Sequence, residues 1–207
     1  MAAAAKSVRT EKRREREMIG TTSPPPVNLP LEQRRIRRQS ALAALLCAAV
    51  LAAAMLWLPG VVDFPDEPAN RIAFGLRADA LLLIPLMVGV RWVSSTRYRS
   101  AEDNVGSAYA PPSAKLAVAL AYLQNTLEQT VITAFALTAL ATIEGDAPLA
   151  YICASVPLFA LGRLTFARGY LKGAGGRAFG MAATALPSLG AIVWLVADMG
   201  ARLLTGF

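Results

Sequence analysis

Histidine is missing altogether from the 207 residues. That absence removes Ser-His-Asp hydrolysis, Cys-His catalysis, imidazole-ligated metals and imidazole pH switching together. Charge is also scarce, at 17% of residues against about 25% in a typical soluble domain, so a water-soluble fold is not expected. Cysteine is limited to Cys47 and Cys153, each inside an apolar run. Both read as small hydrophobes, since nothing resembles a secreted disulfide framework. Any chemistry therefore falls to Arg, Tyr, Glu, Asn or a bound cofactor.

What the chain does have is apolar surface, at 55% of its residues. Residues 1–40 stand apart, with ten Lys/Arg against four Asp/Glu, all but one unit of the chain's net +7. This segment holds a charged helix-like stretch from Lys6 to Met18, the run Pro24-Pro25-Pro26 and a basic cluster of Arg34, Arg35, Arg37 and Arg38. It reads as a basic, solvated cytoplasmic tail that can meet anionic lipid; no groove-reading motif accompanies it, so nucleic acid is not an expected partner.

Residues 41–58 carry no charge and as a helix would cover ~27 Å, enough to cross a hydrocarbon core. Four more apolar stretches follow: Ile72 to Val93, Ala114 to Ala141, Ala147 to Ala167 and Ala178 to Leu204. The expected fold is all-α, an integral membrane bundle of four helices over residues 71–207 with one additional N-terminal transmembrane helix at 41–58. Lys and Arg fall in the tail, around Arg91 to Lys115, and around Arg163 to Arg177, whereas the Glu144-Gly145-Asp146 hairpin has none. By the positive-inside rule the N-terminus is cytoplasmic and the C-terminus outside.

Ionisable groups within spans are expensive and ask for a partner or a role. Arg77 and Asp79 are read as a snorkelling or mutually neutralising pair. In the third apolar stretch Asn125, Glu128 and Gln129 are spaced i, i+3, i+4, which places them on adjoining parts of one helix surface. Either this surface glues helices or subunits together, or it binds a polar ligand. A second constellation, Arg163, Phe166, Gly169, Tyr170 and Arg177, runs across the last basic loop. Its arginines are either positive-inside anchors or, for Arg177 near a helix N-terminus, part of an anion site.

The order Asn125-x-x-Glu128, then Arg163-x-x-Phe166-x-x-Gly169-Tyr170 and Arg177 resembles the MAPEG family, the membrane-associated proteins of eicosanoid and glutathione metabolism. The resemblance covers about residues 71–207. It implies a homotrimer of four-helix protomers in a bacterial-type inner membrane, with glutathione as cosubstrate bound near the cytoplasmic side at subunit interfaces. By motif position Glu128 would hold the ammonium of glutathione and Asn125 an amide or carboxylate. Tyr170 would line the same site, to which Arg163 also belongs, and Arg177 would act as the catalytic residue that stabilises the thiolate.

The motif departs from the family's glutathione-conjugating members at three places. Ala121 stands where they carry an arginine, Gln129 where they have tyrosine after the glutamate, and Phe166 where they have tyrosine. Two functions follow from the resemblance: a glutathione-dependent transferase or peroxidase acting on a lipophilic small molecule, or a noncatalytic scaffold or lipid-binding member.

Overall fold

The computed structural model describes residues 28–205; the stretch from Lys6 to Met18 and the proline run lie outside them. Among the described residues six helices follow one another: α1 (Leu29–Trp57), α2 (Pro68–Tyr98), the short α3 (Ala101–Asn104), α4 (Ala114–Leu140), α5 (Asp146–Gly169) and α6 (Gly173–Thr205). Single 3-10 turns at Leu58–Gly60 and Tyr170–Lys172 link α1 to the acidic loop and α5 to α6. There is no strand among the described residues. The expected all-α architecture, four long helices and one before them, is what the chain forms.

Helix limits follow local chemistry. Proline opens α2, where its missing N–H costs nothing. The Ser113 hydroxyl caps α4 by accepting the Leu116 N–H at 3.3 Å. Gly145 (φ 84) and Gly173 (φ 81) take the left-handed turns that open α5 and α6. Two starts differ from expectation. α1 begins at Leu29 rather than near Ala41, because Gln33, Arg34, Arg35, Arg37 and Arg38 are good helix formers despite their charge. α6 takes in Gly175 and Gly176, which read as turn residues in sequence.

Those glycines are there for close approach. A Cβ on Gly169 would collide with the Gly176 carbonyl, and one on Gly180 with the backbone of Phe166. Small residues thus bring α5 and α6 together, the usual means of packing helices in lipid. Three prolines lie inside helices, Pro85, Pro157 and Pro187. Pro187 has no N–H for the Ala183 carbonyl, and that oxygen accepts instead from Cys47 Sγ of α1 at 3.7 Å. The Pro187 carbonyl accepts from Tyr151 Oη at 2.7 Å. α1 shares the main core through Ala43, Cys47 and Leu51, and both cysteines are free thiols.

Large apolar side chains such as Leu45, Leu81, Ile84, Met87, Phe135 and Val193 face outward. So much exposed apolar surface suits lipid rather than water. Residues 29–60, 68–98 and 146–205, the last comprising α5 and α6, contain stretches long and apolar enough to cross a membrane. The inward face of α4 carries Thr126, Gln129, Thr130 and Thr133. Thr133 meets Ser188 of α6 at 2.8 Å.

The ionisable groups of the spans divide differently from the sequence reading. Asp79 accepts from the Thr138 hydroxyl of α4, while Arg77 is exposed, so the two do not neutralise each other. Asp198 pairs with Arg202 at 2.8 Å, one helical turn away. At the acidic end Arg71, only 2% exposed, donates to the carbonyls of Ala141 (3.3 Å), Pro65 (3.2 Å), Gly145 (2.8 Å) and Ile143. One guanidinium thereby satisfies carbonyls that the end of α4 and its turn leave orphaned.

Candidate functional site

A cavity of about 540 Å³ opens near the basic end, among α1, α4, α5 and α6. That size suits a small-molecule ligand. α4 contributes Ala121 and Asn125, one turn apart. Phe166 comes from the end of α5, Tyr170 from the 3-10 turn, and Arg177 and Met181 from the first two turns of α6. α1 supplies Ile36 and Ser40. Asn125, on a different helix and distant in sequence, therefore lines the same cavity as Tyr170 and Arg177.

The Arg177 guanidinium lies 4.8 Å from the centre of the Tyr170 ring, a cation–π contact that steadies it. Among the described residues no carboxylate pairs with it. It opens the second turn of α6, next to the first-turn backbone N–H groups, whose positive partial charge adds to its own. One of those groups, the Gly175 N–H, is taken by Glu32 of α1 at 2.6 Å. What remains at Arg177 is a cation with hydrogen-bonding capacity facing a cavity whose other polar lining is Ser40, Asn125 and Tyr170.

Arg163 behaves oppositely. It is 1% exposed and does not line the cavity. Its Nη1 donates to Asn125 Oδ1 at 2.7 Å, and its Nε and Nη2 donate to Thr184 Oγ1 at 3.1 and 2.7 Å. Nη2 also reaches the Gly180 carbonyl at 3.4 Å. The guanidinium lies 4.7 Å from the Phe166 ring centre and 5.9 Å from that of Phe159. Every hydrogen-bond partner is neutral, so its charge is uncompensated and adds to the positive potential behind the cavity wall. Asn125 is thereby oriented: its oxygen is taken, and its amide N–H groups are what it has left to offer a ligand.

Glu128 stays apart from this group. It is exposed on the outer surface of α4, where its carboxylate accepts from Gln124 Nε2 at 2.9 Å. Gln129 is buried. Residues 128 and 129 are one step of about 100° apart on a helix, enough to send one outward and the other into the core. The spacing that put Asn125, Glu128 and Gln129 on adjoining positions is real, but the bundle edge falls between them.

Sequence reasoning missed three contributors. Thr184 holds Arg163 and itself donates to the Gly180 carbonyl at 2.7 Å. Its signal was the period of four in Gly180, Thr184 and Ser188, a small and polar stripe along an apolar helix. Ile36 and Ser40 carried no such signal, because α1 reaches the cavity only through tertiary packing.

Behind the cavity, aromatic rings run from Tyr170 to Phe166 (5.7 Å), Tyr122 (6.4 Å) and Trp92 (5.5 Å). Below Trp92 the α2–α4 loop is tied by Asp103, which accepts from the Ser113 N–H at 2.8 Å and hydroxyl at 2.7 Å. These bonds, the backbone one foremost, hold its carboxyl below the usual carboxylate range.

A bundle of long apolar helices with small-residue contacts and internal prolines defines a helical integral membrane protein, here with an arginine-bearing cavity near one end. The MAPEG family model matches residues 72–197, more than half of the chain, and the protein belongs to that family. No curated protein and no solved structure matches it. The match spans α4 and α5 and most of α2 and α6, while α1 lies outside it.

Proposed function

We propose that the protein is a glutathione-dependent transferase or peroxidase acting on a lipophilic substrate that enters from the membrane. The observation that carries this reading is Arg177: a cation with no carboxylate partner among the described residues, braced on Tyr170 at a mainly apolar cavity. A cation in that position favours the thiolate over the thiol, and the thiolate is the nucleophile. In the conjugation reaction the thiolate sulfur would bond to an electrophilic carbon of the lipophile, such as that of an epoxide, as its C–O bond breaks; the thiol proton passes to solvent, and the alkoxide formed takes one up from solvent. Asn125 would offer its amide donors to the peptide, and Tyr170 would flank it.

Ala121 provides space in the cavity wall but no charge for a second carboxylate, and Glu128 points away from its own protomer's cavity. Both features fit a site completed by a neighbouring copy, as in a homotrimer, with Glu128 turned toward the adjacent protomer. The basic end would then face the cytoplasm, where glutathione is held reduced, in a bacterial inner membrane.

A second reading, a noncatalytic lipid-binding or scaffold member, is favoured by one observation. Arg163 and the oxygen of Asn125 are spent on each other and on Thr184, which leaves a cavity with a single working charge. Purified protein in detergent or nanodiscs distinguishes the two. The transferase reading expects saturable glutathione binding and conjugation of a lipophilic electrophile, with turnover falling about a hundredfold in Arg177→Ala while the oligomer survives. Lipid binding without any glutathione binding supports the scaffold instead.

A further inference from the structure

We infer that α1 is a specificity-determining wall of the cavity: the ligand's anionic group or thiolate meets Arg177, and its apolar chain lies along Ile36 and Ser40. This rests on the reading that the cavity binds a ligand at Arg177.

Ile36 and Ser40 are one helical turn apart and close the cavity together with Ala121, Met181 and Ala182. The helix that carries them is fastened on both sides of these positions. One turn before Ile36, Glu32 accepts the Gly175 N–H at 2.6 Å, and the Arg35 side chain packs where a Cβ on Gly175 would stand. Beyond Ser40, Ala43 is fully buried, and Cys47 donates to the Ala183 carbonyl that Pro187 leaves free. The wall is thus preorganised rather than a loose flank, which is what lets a side chain discriminate between ligands.

The charge pattern narrows the ligand further. Glu32 already fills one anion position at the start of α6, so Arg177 offers the cavity's one cationic anchor. The remaining lining is mainly alanine, methionine, phenylalanine and isoleucine. One anionic head or thiolate at Arg177, followed by an apolar chain passing Ile36, matches that order of groups. Because α1 lies outside residues 72–197, this selectivity belongs to the added helix and not to the part of the chain that the family model covers.

The test measures affinity as a function of chain length, using the protein in nanodiscs and two probe series. S-methyl-, S-hexyl- and S-decylglutathione place glutathione at Arg177 and an alkyl chain toward α1; hexanoate and decanoate carry the chain without the peptide. Ile36→Trp should weaken decyl probes by at least about tenfold more than it weakens S-methylglutathione, the effect of excluding two or so methylenes from apolar surroundings. Ile36→Ala, which only removes atoms, should shift the preference toward longer chains.

An unaltered chain-length profile in both variants overturns the wall. Binding of alkanoates with the expected profile, but of no glutathione conjugate, keeps the wall and overturns the thiol reading. Binding of neither series to the unmodified protein overturns both.

Discussion

The two ends of the bundle use arginine in opposite ways. At the acidic end Arg71 is buried and spends its guanidinium on three carbonyls of the α4–α5 turn and on that of Pro65 in the loop before α2. At the basic end Arg177 has a ring beneath it and no carboxylate partner among the described residues. Arg163 lies between these cases, close to the cavity but with each of its three nitrogens bonded to Asn125, Thr184 or Gly180. A buried arginine with its donors satisfied is a structural tie, whereas one that keeps donors at a cavity is free to act on something else. Position near a site does not distinguish the two; hydrogen-bond accounting does.

Removing the structural arginine should cost most. Arg71→Ala orphans several buried carbonyls at the turn, and we expect a loss of about 3 kcal/mol or more, seen as a lower melting temperature or loss of the monodisperse species on size-exclusion chromatography. The effect should not depend on ligand. If Arg71→Ala melts like the unmodified protein, the contrast between the ends is broken.

Arg163→Lys comes next. Lysine keeps the charge but lacks the planar fork that reaches Asn125 and Thr184 together, so a loss of about 1–2 kcal/mol is expected. Asn125 would also lose its orientation, and weaker binding at the cavity should accompany the lower stability. Full stability with unchanged binding would mean that Arg163 is not the tie described.

Asp103→Asn is the mildest change and sharpens the comparison through pH. The Asp103 carboxyl is held below its ordinary range by Ser113. A depressed folded-state value contributes stability that is full above the unfolded value of about 4 and is lost as pH falls through the lower folded value. The unmodified protein should therefore lose stability on the acid side with a slope that Asp103→Asn lacks, measured by thermal melts between neutral and acid pH. Parallel acid-side curves would remove Asp103 from the account.

Much of this fold was legible because its signal is local. The runs from Ile72, Ala114, Ala147 and Ala178 are apolar for long enough to be helices whatever surrounds them. The start of α1 was hidden because charge marks a tail in sequence, while Arg34 to Arg38 are equally content in a helix. Of the candidate site, Asn125, Tyr170 and Arg177 are brought to one cavity, and Arg163 stands just behind it. The outward turn of Glu128 was not readable from spacing alone, since a helix surface has no marked edge until its neighbours are placed. Ile36 and Ser40 were invisible for the same reason.

The account's central claim is that Arg177 is the working cation of the cavity. Its most direct test is the thiolate absorbance of glutathione bound at neutral pH, compared between the unmodified protein and Arg177→Ala at saturating ligand. A thiolate band in the unmodified protein that disappears in Arg177→Ala, with melting temperature and oligomer unchanged, is the predicted result. A band of equal size in both, or no band in either, would contradict it.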